Sequence, residues 1–257
     1  SDVTKPKQRL ATFSPDGSRA AFVRDNNIFV VDLATMAETQ ITKDGEWNHI
    51  LNGATDWVYE EEFALVQGYQ WSPGGTKILY LRTDETNVRE WNVDTYANNL
   101  YPHEHRYKYP KAGEENSIVE LYVCDLRGYS TTLIPLDGSQ EPYIPRFGWT
   151  ASDDVLWYMT MNRLQNTKTI STVSVPLLRA VQVGLKPRVV YRETSKTYVE
   201  VTDDLYFNKE GNGFVLTTEQ SGWNHIWYQP MNTKIADGSI PAGRAITTGN
   251  WDVLGVK

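Results

Sequence analysis

The sequence predicts an all-β chain, a β-propeller of four-stranded antiparallel blades, and three observations carry that expectation. Short β-branched and aromatic runs alternate with turns rich in Pro, Gly, Asn and Asp. The same order of strand, turn and strand recurs along the 257 residues. Aromatic residues are abundant, with 15 Tyr, 9 Trp and 7 Phe, against 22% charged residues, which marks a packed globular chain rather than a disordered one.

The first copy, ATFSPDGSRAAFVRDNNIFVVDL, reads as a strand ending at Phe13, a turn over Ser14-Pro15-Asp16-Gly17, a strand through Phe22, a turn at Asn26-Asn27 and a third strand through Val31. YQWSPGGTKILYLRTDETNVREWNV repeats the plan with Trp71 in place of Phe13, and weaker copies follow around Trp149 and Phe207. Pro fixes φ and Gly supplies positive φ, so these turns favour tight hairpins. The four aromatic anchors lie 58, 78 and 58 residues apart, more than the roughly 40–50 residues of common propeller repeats. Insertions between blades are therefore expected, at 48–68 and 92–117. A β-sandwich of unrelated hairpins is the alternative, since it also yields regular short strands. A second echo links QITKDGEWNHI to AITTGNWDVLG at blade ends, and His49 and His225, each following Trp-Asn, suggest a repeated structural position.

Composition excludes several function classes. The net charge of −7, with a pI of about 5.2 and no Lys/Arg-rich run, argues against nucleic-acid binding. No apolar run approaches the roughly 20 residues of a membrane-spanning helix, and SDVTKPKQRL has no apolar core of a signal peptide. Cys124, alone, reads as a small buried strand residue. His103 and His105 share a strand face without an evident third ligand, so they read as surface histidines and no metal or cofactor is expected.

The insertion at 48–68 contains DWVYEEEF, three consecutive carboxylates set among aromatics. Asp56 suits a helix N-cap, and the absence of Gly or Pro before Gly68 allows a helix of one or two turns, with Tyr59 and Phe63 on one face. The three glutamates have two readings. They are solvated acids near a helix N-terminus, or two of them form a receptor for a small cation such as a primary ammonium, whose three donors suit a carboxylate pair.

NGATDWVYEEEF, YQWSPGGTKILYLRTDETNV, YPKAGEENSIVELYVCDL and GNWDVLGV together resemble the propeller of the dipeptidyl peptidase IV branch of the prolyl oligopeptidase family, serine peptidases with bacterial members. The resemblance covers nearly the whole chain. It implies an eight-bladed propeller capping an α/β-hydrolase domain, of which 1–257 is an N-terminal part of about five blades. It also implies that Glu61 and Glu62 bind the free N-terminal amine of a peptide substrate, with Asp56, Trp57, Tyr59 and Glu60 in supporting roles and Glu60 structural or solvated. No G-x-S-x-G nucleophile elbow occurs, since Gly17-Ser18, Gly138-Ser139 and Gly238-Ser239 lack the second glycine. The chain alone is therefore expected to be inactive.

The family's carbonyl-binding arginine finds no match, because counting back from the first aromatic-Ser-Pro turn reaches Val3 and Arg9 is out of register. The aromatic and basic stretch with Tyr101, Tyr107, Lys108, Tyr109 and Lys111 resembles the arm through which relatives dimerise. By the same resemblance the full-length protein is expected to be a periplasmic or secreted exopeptidase releasing N-terminal dipeptides of Xaa-Pro type, a homodimer with its own hydrolase domain. A non-catalytic propeller that binds peptides or partner proteins, or a tripeptide-releasing relative, is the alternative.

Overall fold

Strands dominate because nearly every stretch between turns alternates or clusters β-branched and aromatic residues. The computed structural model describes residues 6–96, 98–138, 141–176, 184–231 and 239–257; Val3, Ser139 and Gly238, singled out above, lie outside them. The chain divides into two units, Ser1–Tyr69 with Ile78–Cys124, and Gln70–Lys77 with Asp125–Lys257.

In the first unit, β1(Arg9–Phe13), β2(Arg19–Arg24), β3(Asn27–Asp32) and β4(Glu38–Gln40) form one antiparallel meander in chain order. Asp25 and Asn26 both have positive φ, 49° and 55°, so the β2–β3 turn sits one residue earlier than the sequence suggested. The chain continues through β5(Ile50–Asn52), the helix α1(Trp57–Glu62), β6(Tyr69–Trp71) and β7(Lys77–Asp84). It then passes through β8(Glu90–Thr95) and β9(His103–Lys108) to β10(Ile118–Asp125), and β7 runs between β5 and β10. Tyr69 is fully buried, its hydroxyl within hydrogen-bond reach of the carbonyls of Leu10 and, at 2.9 Å, Ala21. Cys124 is buried in β10 as expected.

In the second unit, β11(Ser130–Ile134) precedes two further meanders. One is β12(Tyr143–Trp149), β13(Val155–Met161), β14(Thr167–Ser174) and β15(Arg188–Thr194); the other is β16(Leu205–Phe207), β17(Gly213–Thr218), β18(His225–Pro230) and β19(Arg244–Ala245). Met159, Ile170, Val190 and Tyr191 of the first pack with Phe214 and Leu216 of the second. Such sheet-on-sheet burial of apolar surface, at about 25 cal/mol per Å², is what holds one blade to the next.

The four anchors each end the first strand of a blade, and the turn after each closes alike. Ser14 donates its N–H to Arg19 O at 2.9 Å, Ser72 to Lys77 O at 2.9 Å, Thr150 to Val155 O at 3.0 Å and Asn208 to Gly213 O at 3.0 Å. The described residues thus form three complete four-stranded blades and one interrupted by both insertions. The insertions take up the length of a further blade.

The repeated histidine position needs correcting. Thr42 Oγ1 accepts the Ile28 N–H and donates to Asn27 Oδ1 at 3.1 Å, while Thr247 Oγ1 accepts the Ile226 N–H and lies 3.1 Å from Nδ1 of buried His225. His225 is therefore the counterpart of Asn27. His49 instead precedes β5, half-buried, 3.3 Å from Thr86 Oγ1.

The second insertion is an antiparallel ribbon, β8 with β9, pairing Glu90 with Lys108 and Thr95 with His103. It carries Leu100 and Tyr101 at 93% and 82% exposure. From Tyr109 the chain turns back, with the Tyr109 N–H on Arg89 O at 2.9 Å.

Candidate functional site

The segment bearing the glutamates leaves and rejoins the first unit through a narrow neck. Gly53, with φ of 70°, donates its N–H to Leu81 O at 3.0 Å and accepts from the Gly68 N–H at 3.0 Å, and Ala54 bridges Gln67. Positive φ is inexpensive only for glycine. Inside the neck, Thr55 Oγ1 donates to Leu65 O at 2.5 Å and the Leu65 N–H to Tyr59 O at 2.9 Å, closing the segment on itself.

Helix α1 starts where Asp56, in extended conformation, accepts the Tyr59 N–H on Oδ1 at 3.1 Å. This is the N-cap role anticipated for Asp56. Its Oδ2 accepts a hydrogen bond of 2.6 Å from Ser117 Oγ. Burial pushes the Asp56 carboxyl above its ordinary range, while the Ser117 and Tyr59 hydrogen bonds pull it down. Tyr59 and Phe63 are buried with ring centroids 5.4 Å apart, sharing a face as their spacing demands. Trp57 meets the Tyr109 ring edge-on, centroids 4.4 Å apart.

The glutamates then separate by helical rotation, about 100° per residue. Glu60, three residues from Trp57, lines with it a cavity of about 440 Å³ that also takes in Arg9, Asp56, Glu85 and Lys108. Glu61 and Glu62 are exposed at the last turn of the helix and are not among that cavity's lining residues. Burial raises the Glu60 pKa, Arg9 opposes the rise, and Glu61 and Asp56 add to it. Glu85, 7% exposed, is pushed up to about 7 by burial and by Asp56, against the pull of Lys108 and Arg9.

Placement thus differs among the residues singled out from the sequence. Asp56, Trp57 and Tyr59 hold the helix, Glu60 faces the cavity, and Glu61 and Glu62 present neighbouring carboxylates at the helix end. No ion pair within the described residues engages Glu61 or Glu62. A cation approaching either carboxylate would break no existing salt bridge. Arg9, out of register in the sequence, lies in the cavity and donates to Asn26 Oδ1 at 2.9 Å. Glu85 and Ser117 were not singled out in the sequence, and Arg9 and Tyr109 were named there for other reasons, because each reaches the site from a distant part of the chain.

Of the two histidines considered for metal binding, His103 lies 2.8 Å from Asn99 Nδ2 and His105 packs on Tyr107. Among the described residues, no group of three His, Cys, Asp or Glu is placed to hold a metal ion. No described helix is long and apolar enough to cross a membrane.

Four-stranded antiparallel blades carrying an inserted acidic helix define a β-propeller domain. The family described as "Dipeptidyl peptidase IV (DPP IV) N-terminal region" matches residues 1–257, and the chain belongs to it. The crystal structure of Porphyromonas gingivalis dipeptidyl peptidase 4 is similar with a TM-score of 0.83 and 39% identity, over 97% of this chain and 34% of that one. A probable dipeptidyl peptidase 4 of Aspergillus fumigatus is 32% identical over 96% of this chain and 32% of its own length. The inactive dipeptidyl peptidase 10 of Mus musculus is 29% identical over 96% of this chain and 31% of its own length. The chain spans about a third of the relatives it matches, and it is the propeller region of a dipeptidyl peptidase IV-like protein.

Proposed function

We propose that this propeller recognises and gates substrates for a serine exopeptidase that releases N-terminal dipeptides, typically Xaa-Pro, and that Glu61 and Glu62 bind the substrate's free amine. The observation that carries the reading is the mounting of the two carboxylates. They stand exposed, consecutive in sequence, at the last turn of a helix whose cap, Asp56, and inner face, Tyr59 and Phe63, are fixed by buried contacts. An ammonium held there would lie at a constant distance from a nucleophile in the hydrolase domain. The clamp then counts two residues and rejects blocked N-termini.

In the full-length protein the partners are the C-terminal α/β-hydrolase domain, peptide N-termini and a second copy met through the β8–β9 ribbon. By the same family likeness it works in the periplasm or outside the cell. The test is to incubate the full-length protein with a peptide of free N-terminus and Pro second, and to weigh the products. Release of the N-terminal dipeptide is expected; release of a tripeptide moves the amine anchor.

A second reading has its own support in the similarity to an inactive dipeptidyl peptidase. On that reading the full-length protein binds peptides without cleaving them. Binding with no product in the same experiment would select it.

A further inference from the structure

We infer that Ser117 and Tyr109 are positioning residues for the carboxylates of α1, so that the base of the β8–β9 ribbon sets the geometry of amine recognition. The inference rests on the amine-receptor reading above and adds the elements that hold the receptor in place.

The first attachment is polar. Asp56 is 7% exposed, and its two oxygens have different tasks: Oδ1 caps the helix through the Tyr59 N–H, and Oδ2 takes the 2.6 Å bond from Ser117. A buried carboxylate is costly unless hydrogen-bonded, so the cap settles where both donors reach it. Ser117 is the residue just before β10, where the second insertion rejoins the unit. The position at which α1 begins is thereby tied to the end of that insertion.

The second attachment is aromatic. Trp57, the first helical residue, packs edge-on against Tyr109 at 4.4 Å between centroids, a favoured geometry for aromatic pairs. Tyr109 is itself fixed to the ribbon: its N–H donates to Arg89 O at 2.9 Å, and its ring lies 6.3 Å from Trp91 and 6.5 Å from Tyr107. Lys111 covers the other partner, its Nζ 4.2 Å from the Trp91 centroid. Both attachments grip the start of a helix only six residues long. At a rise of about 1.5 Å per residue, Glu61 and Glu62 stand only about 6–8 Å along the axis from Trp57. A shift of the first turn is therefore carried to them over little more than one helical turn.

An ammonium clamp tolerates little misplacement, since errors of about 1 Å can cost on the order of a hundredfold in rate. Neither Ser117 nor Tyr109 need touch the substrate for its removal to weaken binding of the amine.

The experiment uses the full-length protein with Ser117→Ala, Tyr109→Leu and the conservative Ser117→Thr and Tyr109→Phe, with Glu61→Ala as reference. kcat and KM are measured for a Gly-Pro chromogenic substrate and its N-acetylated form. We expect KM for the free-amine substrate to rise about tenfold in Ser117→Ala and Tyr109→Leu, with kcat nearly kept, preference over the acetylated form reduced, and both restored by the conservative variants. Unchanged KM and preference in Tyr109→Leu, the variant that leaves the buried cap intact, would overturn the inference while a collapse in Glu61→Ala upholds the amine receptor. Equal loss on both substrates, tracking the folded fraction, would also overturn it, reducing the two residues to structural ones. A wild type indifferent to acetylation overturns both readings together.

Discussion

Lys168 Nζ lies 3.0 Å from Glu193 Oε2, with side-chain exposures of 1% and 9%, a salt bridge enclosed in the second unit. Further hydrogen bonds surround it. Lys168 also donates to Glu200 O at 2.8 Å, and Glu193 accepts from Tyr191 and Thr218, each at 2.8 Å. Burial and the neighbouring Glu193 charge hold the Tyr191 phenol well above its ordinary range, so it stays a donor. Removing one partner of a buried pair leaves the other charge uncompensated, at about 3–5 kcal/mol. Lys168→Met should lower stability by about that amount in denaturant titration. Adding Glu193→Gln should recover part of the loss.

Glu85 gives a pH-dependent prediction. Its folded pKa, about 7, stands above the ordinary 4.5 because of burial first and Asp56 second, with Asp84 adding and Lys108 and Arg9 opposing. A carboxyl raised on folding stabilises fully below its unfolded pKa, and that contribution is lost as pH rises through the folded value. Glu85→Gln, neutral throughout, should therefore raise Tm relative to wild type at pH 8, and the gain should vanish near pH 4.5. An equal shift at both pH values would trace the effect to packing instead.

Gly53 tests the neck of the acidic segment. A Cβ there would meet Ile28 Cγ1 at 2.7 Å, on a backbone with φ of 70°. The left-handed conformation alone costs a residue other than glycine about 1–2 kcal/mol, and Ile28 is buried and unable to yield cheaply. Gly53→Ala should lower stability by at least that much and should also weaken selection of free N-termini. Thermal denaturation and substrate kinetics on the same preparation check both.

The ribbon tip predicts the assembly. Leu100 and Tyr101, almost fully exposed, are apolar surface that a second copy would cover. Leu100→Asp with Tyr101→Asp should shift the full-length protein from dimer to monomer in sedimentation. An unchanged sedimentation coefficient would take the ribbon out of the interface.

The blade plan was legible because its signals are local. Phe13, Trp71, Trp149 and Phe207 announce strand ends through the turn residues that follow them, and Asp56 announces the helix through its own side chain. What lay beyond the sequence was set by tertiary partners. Ser117 reaches Asp56 across 61 positions, and no periodicity encodes that contact. Burial of Tyr59 and Phe63 fixes the rotation of α1, which turns Glu60 rather than its neighbours toward the cavity. The shared Trp-Asn-His string paired His49 with His225, yet the threonine partner shows that His225 matches Asn27.

The most direct test of the account compares kcat/KM for free and N-acetylated Xaa-Pro substrates in the full-length protein, for wild type, Glu60→Ala, Glu61→Ala and Glu62→Ala. A charge-assisted hydrogen bond contributes about 1.5–3 kcal/mol. The wild type should therefore strongly prefer the free amine, and Glu61→Ala and Glu62→Ala should each lose roughly ten- to a hundredfold on that substrate alone. Equal cleavage of both substrates by the wild type, or a loss confined to Glu60→Ala, would contradict the assignment of the amine to Glu61 and Glu62.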